Sequence, residues 1–243
     1  MSIFKRLFSA FTSSVENTVS KPAEPTSNTN NFETNPPAVK NSTYIPDNNG
    51  DDMISKYVFN GEIKSGTQIM VKNGEMVVVI KDGTIVDLLQ TGVYVIDDSN
   101  VSNFATGSVY TISLKESNEI KWGTTNPICF TDKQYGMLSL RARGAYSYEI
   151  CDIVKFVMDY MNCGCSVNDY TRNLLINAVE RVIYSYNGNS YTQLPLANIC
   201  QLIEEELRTT GINFRVKLDM ITPTEESKAA IQQAMQNAIF NNQ

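Results

Sequence analysis

A stretch of strictly alternating residues, 137–150, constrains the fold of this chain more than any other part of the sequence. The positions on one side are apolar or aromatic, apart from Gly144, whereas the other side carries Arg141 and Arg143. Side chains that alternate in this way lie on the two faces of one β-strand, with one face buried. Because most strands have about 5–6 residues, the sequence predicts an unusually long strand.

The amino-acid composition limits the chemistry that this chain can perform. The chain has 243 residues, a net charge of −6 and no histidine. The negative charge argues against a nucleic-acid partner, and the lack of histidine removes the commonest general base and metal ligand. Five cysteines without a secretion signal fit a reducing cytosol, and only Cys163 and Cys165 are close together. We therefore expect no metal and no cofactor, and leave redox chemistry at this pair open.

The first 18 residues are predicted to form a short amphipathic helix, because bulky apolar residues recur at helical spacing beside two basic residues. Such a helix can lie in a membrane interface, but it is too short and too interrupted to span the bilayer. The residues expected to contact the membrane are Ile3, Phe4, Lys5, Arg6, Leu7, Phe8 and Phe11. The alternatives are a disordered tail, or a helix that docks on this protein or in the groove of a partner.

Residues 19–52 are rich in Pro, Asn, Ser and Thr and are predicted to be a disordered linker. A folded domain is expected over residues 53–222, and it begins with strands. Asn73-Gly74 and Asp82-Gly83 are two-residue turns between apolar runs, which predicts an antiparallel meander. The expected strands lie near residues 67–72, 75–81, 84–89, 93–97, 108–114, 118–122, 127–131 and 137–150.

Helices are predicted after the long strand. The pair Ser166 and Asp169 has the spacing of a capping box, and Pro195 and Gly211 are placed to begin and end a later helix. A strand is expected over residues 212–221. Thr222, with a proline and a glutamate after it, is predicted to cap a C-terminal helix over residues 223–243. Strands followed by helices, then a strand and a helix, indicate an α+β domain.

Two features are candidates for a subunit interface. Arg141 and Arg143 share one face of the long strand, where they can face water, contact a neighbouring subunit or grip an anion; we favour the first two. The C-terminal helix carries an apolar stripe that must be buried against its own sheet or against a neighbour. The predicted interface residues are Arg141, Arg143, Ile231, Met235 and Ile239.

The order of these elements resembles the SPFH, or Band 7, family of stomatin, prohibitin and flotillin. The resemblance is carried by "WGTTNPICFTD" from Trp122, by "RARGAYSYEICD" from Arg141 and by "GINFRVKLDMITPTEESKAAIQQA" from Gly211. It covers roughly residues 53–240 and is closest to a bacterial branch often labelled virion-core-protein-like. The resemblance implies an SPFH-type domain in which a long curved strand packs against helices.

The resemblance also implies a function. It suggests a non-enzymatic scaffold that forms homo-oligomers, associates with membranes and organises membrane or partner proteins. It further implies partners of the phage-shock type in membrane stress, and a cytoplasmic location on the inner face of the cell membrane. Most members carry a long coiled coil after this domain, so the short final helix predicts a smaller assembly. The alternative from another class is a soluble protein-binding module whose N-terminal helix docks in a partner groove.

Overall fold

The computed structural model describes residues 43–44, 53–57 and 63–240. These residues form two compact units, of which the first contains residues 43–44 and 55–112, and the second contains residues 53–54 and 113–240. The predicted membrane helix, with all of its membrane-contact candidates, lies outside the described residues. The segment that we predicted as one domain therefore contains most of both units.

The first unit contains two sheets. Strands β1 (Thr43–Tyr44), β3 (Gln68–Val71) and β6 (Gly92–Val95) form one sheet in the order β1-β3-β6, with β1 parallel to β3. Strands β2 (Ile54–Tyr57), β4 (Glu75–Lys81), β5 (Thr84–Leu89) and β7 (Ser108–Ser113) form the other, in the order β2-β7-β4-β5. A short helix, α1 (Val101–Thr106), precedes β7 and buries Phe104 in the core of the unit. At Thr43 and Tyr44 the chain is a strand, although the sequence predicted a linker there.

The two predicted turns behave differently. Asp82 and Gly83 both have positive φ, of 51° and 75°, and join β4 and β5 as a hairpin. At Asn73-Gly74 only the glycine has positive φ, and the strands on either side enter different sheets. A paired two-residue hairpin of the expected type needs positive φ at both positions. The meander predicted for this region is therefore wrong at the first turn and correct at the second.

The second unit is built around the long strand β10 (Gly136–Ile150). Along one edge β10 pairs with β11 (Ile212–Pro223), whereas its other edge is shared by two short strands. Strand β9 (Ile128–Asp132) pairs with residues 136–140, and β8 (Ile120–Gly123) pairs with residues 143–146. The strand is long because two consecutive partners occupy one of its edges.

Three α-helices lie between β10 and β11, namely α2 (Ile153–Met161), α3 (Val167–Ser185) and α4 (Leu196–Leu207). The alternate positions of β10 from Leu138 to Ile150 are buried, and the Tyr146 hydroxyl lies 3.2 Å from the Thr171 hydroxyl of α3. Helix α4 packs against β11, where Glu204 accepts a 2.8 Å hydrogen bond from the backbone of Val216. The predicted capping box is present, because the Ser166 hydroxyl accepts a hydrogen bond from the Asp169 backbone. The α+β class is confirmed.

The last helix, α5 (Glu225–Phe240), begins later than predicted. Thr222 and Pro223 belong to β11, which pairs with β10 as far as Leu140 opposite Pro223. Thr224 is placed to cap the helix instead, with its hydroxyl 3.4 Å from the Ser227 backbone nitrogen. The predicted cap at Thr222 is wrong because this residue is paired with β10 as part of β11.

Candidate functional site

One face of the sheet in the second unit is strongly basic. Ala145 of β10 pairs with Lys121 on one side and Lys217 on the other, and Ser147 pairs with Arg215. Directly opposed residues share a face of a sheet, and so do alternate residues of one strand. We define the basic face by its exposed cations, which are Lys121, Arg141, Arg143, Arg215 and Lys217. In a chain of net charge −6, this face is a local concentration of positive charge.

The two arginines of β10 have different surroundings. The guanidinium of Arg141 donates hydrogen bonds to the carbonyls of Thr124 and Thr125, at 3.2 and 3.1 Å. These carbonyls lie between β8 and β9, where residues 141–142 have no strand partner on that edge. Arg141 therefore closes the gap between the two short strands. Arg143 is exposed and makes no ion pair with any described residue.

Acidic side chains border the other end of the basic face. Glu116 lies 3.3 Å from Arg215 and accepts a 2.6 Å hydrogen bond from the Ser147 hydroxyl. Glu119 pairs with Lys217, and this hydrogen bond raises the pKa of Lys217 above its ordinary value. A cleft of about 320 Å³ lies among these groups. These exposed ion pairs are screened by water and contribute little to stability.

Among the described side chains of helix α5, those that are buried lie near its beginning. Its Ser227 hydroxyl accepts a 2.8 Å hydrogen bond from the Ser139 backbone, and Ile231 is 6% exposed. Residues 232–237 are all exposed, and Met235 is 48% exposed. Ile239 belongs to the helix, but its side chain lies outside the described residues. The predicted stripe is thus divided, since Ile231 packs within the chain and Met235 faces outward.

A sequence model of the SPFH domain–Band 7 family matches residues 56–237. The chain belongs to this family. Members of the SPFH family generally act as membrane-associated scaffolds and self-assemble. A comparison with curated proteins found no match. Within the described residues, no helix has the length and apolar character needed to cross a membrane.

The SPFH domain places its candidate interface residues on connected surfaces. Ser139, Arg141 and Arg143 share one face of β10, and α5 begins beside Ser139. The basic face therefore ends close to the start of helix α5. Among the described residues, no group of three or more His, Cys, Asp or Glu side chains is placed to hold a metal ion.

Sequence reasoning found only two of the five cations on the basic face of this SPFH domain. Arg215 and Lys217 alternate along β11 in the same way as Arg141 and Arg143 along β10, and this pattern could have identified them as exposed. Their position beside the arginines depends on the pairing of β10 with β11. Lys121 lies on the short strand β8, which contains no clear alternation of polar and apolar residues.

Proposed function

We propose that this chain is a non-enzymatic SPFH scaffold that self-associates through helix α5 and the basic face, and that organises partner proteins at a membrane surface. The observation that carries this proposal is the exposure of helix α5 beyond Ile231. A helix normally buries its apolar stripe against a partner, yet Ala234 and Met235, which continue the stripe of Ile231, are exposed in the single chain. A second copy of the chain is the partner that family membership favours.

The exposed part of α5 can be tested without disturbing its contact with the sheet. Because Ile231 is buried, we would leave it intact and replace Met235 by glutamate. The matched control is Gln233→Glu, which adds the same charge on the opposite side of the helix from Ile231. We expect Met235→Glu to reduce the mass measured by light scattering while circular dichroism stays unchanged. Equal masses for the wild type and both variants would overturn the role of α5.

The basic face supplies the second expected contact. Arg143 is the better test residue, because Arg141 is hydrogen-bonded within its own chain. We expect Arg143→Glu to weaken self-association, and added salt to weaken it in the wild type, since exposed charges are screened over about 10 Å at 0.1 M salt. An assembly mass that responds neither to salt nor to Arg143→Glu would exclude the basic face from the interface.

Membrane attachment is proposed to depend on the N-terminal segment. Its apolar residues and basic pair favour binding to anionic lipid surfaces. We expect deletion of residues 1–20 to release the protein from anionic vesicles without changing its thermal unfolding. Vesicle binding that survives the deletion would show that the anchor lies elsewhere. A fall of several degrees in melting temperature would show that the segment packs on the folded chain.

A cytoplasmic location on the inner membrane face, and a link to membrane-stress partners of the phage-shock type, extend the proposal further. They are supported by the resemblance of residues 53–240 to the bacterial branch. Purification of the native protein from membranes and from cytosol, with identification of copurifying proteins, tests both. Enrichment of membrane-remodelling proteins in the membrane fraction is the expected result. Recovery only from cytosol, without such proteins, would contradict it.

A further inference from the structure

The turn between α2 and α3 holds two thiols side by side. Cys163 is exposed, Cys165 is partly exposed, and their sulfur atoms are 2.7 Å apart. The other three cysteines of the chain are separated in sequence and lie on or beside different elements, at Cys129, Cys151 and Cys200. The proposed scaffold function does not involve these two thiols.

Local geometry explains how residues two apart bring their sulfurs together. Gly164 has a φ of +62°, a left-handed conformation that glycine adopts readily and other residues rarely do. Side-chain hydrogen bonds hold the end of α2 and the start of α3. Asn162 donates a 2.8 Å hydrogen bond to the carbonyl of Met158 in α2, and Ser166 caps α3. The turn is therefore held at both ends.

Hydrogen bonds distinguish the two sulfur atoms. The Cys163 sulfur accepts hydrogen bonds from the backbone N–H of Cys165, at 3.3 Å, and from the Cys165 thiol. The hydrogen bond to Cys163 raises the pKa of Cys165 to about 11. Cys165 thus holds its proton, whereas the more exposed Cys163 sulfur is the one that an incoming molecule reaches first.

We propose that Cys163 and Cys165 form a redox-active dithiol whose substrates are disulfides. The Cys163 thiolate attacks one sulfur of the substrate disulfide, whose S–S bond breaks and releases one thiolate. Cys165 then gives its proton to solvent and attacks the Cys163 sulfur, which releases the second substrate thiolate. The two cysteines are oxidised to one disulfide, and the substrate is reduced to two thiols after its thiolates take up protons.

Metal binding is the competing use of two neighbouring thiols. Structural zinc sites take four protein ligands, and no third His, Cys, Asp or Glu joins these two thiols among the described residues. Disulfide exchange needs only the two sulfurs and access from solvent. The arrangement therefore favours redox chemistry.

The test uses the reduced full-length chain and oxidised glutathione, with peptide mass mapping over time. We expect an intrachain disulfide between Cys163 and Cys165, detected as the loss of two hydrogen atoms from their peptide. Because the second step is intramolecular, Cys165 should resolve the mixed disulfide at Cys163 before a second glutathione reacts, so the intrachain disulfide should exceed glutathione-bound Cys163 at least about tenfold. The exposed single cysteines Cys129 and Cys151 should keep their glutathione. A disulfide-bonded peptide in place of glutathione shows whether larger disulfides also react.

Two variants test the order of the steps. Cys165→Ser should accumulate a mixed disulfide at Cys163, whereas Cys163→Ser should react no faster than Cys129. Both substitutions lie in an exposed turn, and circular dichroism checks that the variants fold. A wild-type chain that carries glutathione on both thiols would overturn the proposal. So would a mixed disulfide at Cys163 that persists in the wild-type chain, with either substrate.

Discussion

Replacing Gly144 by alanine would test a close backbone approach between β10 and β11 in the second unit. Gly144 sits beside an irregularity in the pairing of β10 with β11, where Arg143 lies opposite Met220 and Gly144 lies opposite Leu218. Asp219 is thus an extra residue on β11, which makes this point a β-bulge. A Cβ atom at position 144 would lie 1.9 Å from the carbonyl oxygen of Lys217.

The size of the effect follows from this distance. The same Cβ would also lie 2.9 Å from the carbonyl carbon of Lys217, so backbone rather than a flexible side chain must move, by about 1 Å. Overpacking of a well-packed site costs typically about 1–3 kcal/mol, and a rigid neighbour favours the upper end of that range, about 3 kcal/mol. Alanine gains back about 0.4–1 kcal/mol through the entropy of the unfolded chain. We therefore expect a net loss of about 2–2.6 kcal/mol in the free energy of unfolding.

The single tryptophan of the chain reports on this site. Trp122 is 4% exposed and pairs directly with Gly144 across β8 and β10, so its fluorescence follows unfolding of this sheet. With a urea m-value of about 2 kcal/mol/M, the expected loss lowers the unfolding midpoint by about 1–1.3 M. An unchanged m-value would show that the substitution acts on stability alone.

Gly123→Ala is the matched control on the neighbouring strand. A Cβ there would lie 3.7 Å from its nearest neighbour, the carbonyl oxygen of Ala142, which is an ordinary contact. We expect its midpoint to change by the equivalent of less than about 0.5 kcal/mol. The same midpoint for Gly144→Ala and the wild type would refute the close approach of β10 and β11 at the bulge.

Three further predictions concern single side chains, each measured by urea unfolding. Arg141→Ala should lose about 1 kcal/mol with its two hydrogen bonds, whereas Arg143→Ala should change stability little. Ser227→Ala should cost about 1–3 kcal/mol, because it leaves the Ser139 N–H without its acceptor; a smaller loss would argue against this contact. Burial would raise the pKa of Asp132, but backbone N–H groups of three residues hold it below the ordinary value. The carboxylate thus adds stability above its unfolded-state pKa of about 3.9 that is lost as the pH falls through the folded-state value, and Asp132→Asn should remove this dependence.

Elements whose patterns are local could be predicted from the sequence. The long strand was expected over residues 137–150 and spans Gly136–Ile150, since its alternation is independent of its partners. The cap of α3 was predicted because its two partners, Ser166 and Asp169, are three residues apart. Helix α1 was missed, because its six residues are too few for Val101 and Phe104 to establish a helical period.

Features that depend on distant pairing could not be predicted. Thr222 and Thr224 are both suitable helix caps, and the pairing of Pro223 with Leu140 decides between them. The basic face arises in the same way, since Arg215 and Lys217 reach the arginines of β10 only through strand register. The membrane-contact residues stay a prediction, because they lie outside the described residues.

The shared edge of β10 also explains why its two arginines differ. Two short strands on one edge leave residues 141–142 without a strand partner, and Thr124 and Arg141 fill this gap with hydrogen bonds. The Arg141 side chain is therefore hydrogen-bonded within its own chain. Arg143, which lies opposite Gly123, is exposed and can contact groups outside the chain. One arginine of the pair therefore supports the sheet, and the other is the candidate for binding.

The exposed part of helix α5 beyond Ile231 is short. Among the described side chains, this exposed run covers residues 232–237, which make fewer than two helical turns and span only about 9 Å. Such a short contact buries little apolar surface, so a second surface must contribute to a stable assembly. The basic face begins beside Ser139, where α5 meets β10, and a neighbouring subunit could contact both surfaces at once. If it does, Met235→Glu and Arg143→Glu should each weaken the same assembly, and the double variant should be monomeric in light scattering. Separate effects on two different assembly sizes would show that the surfaces bind different partners.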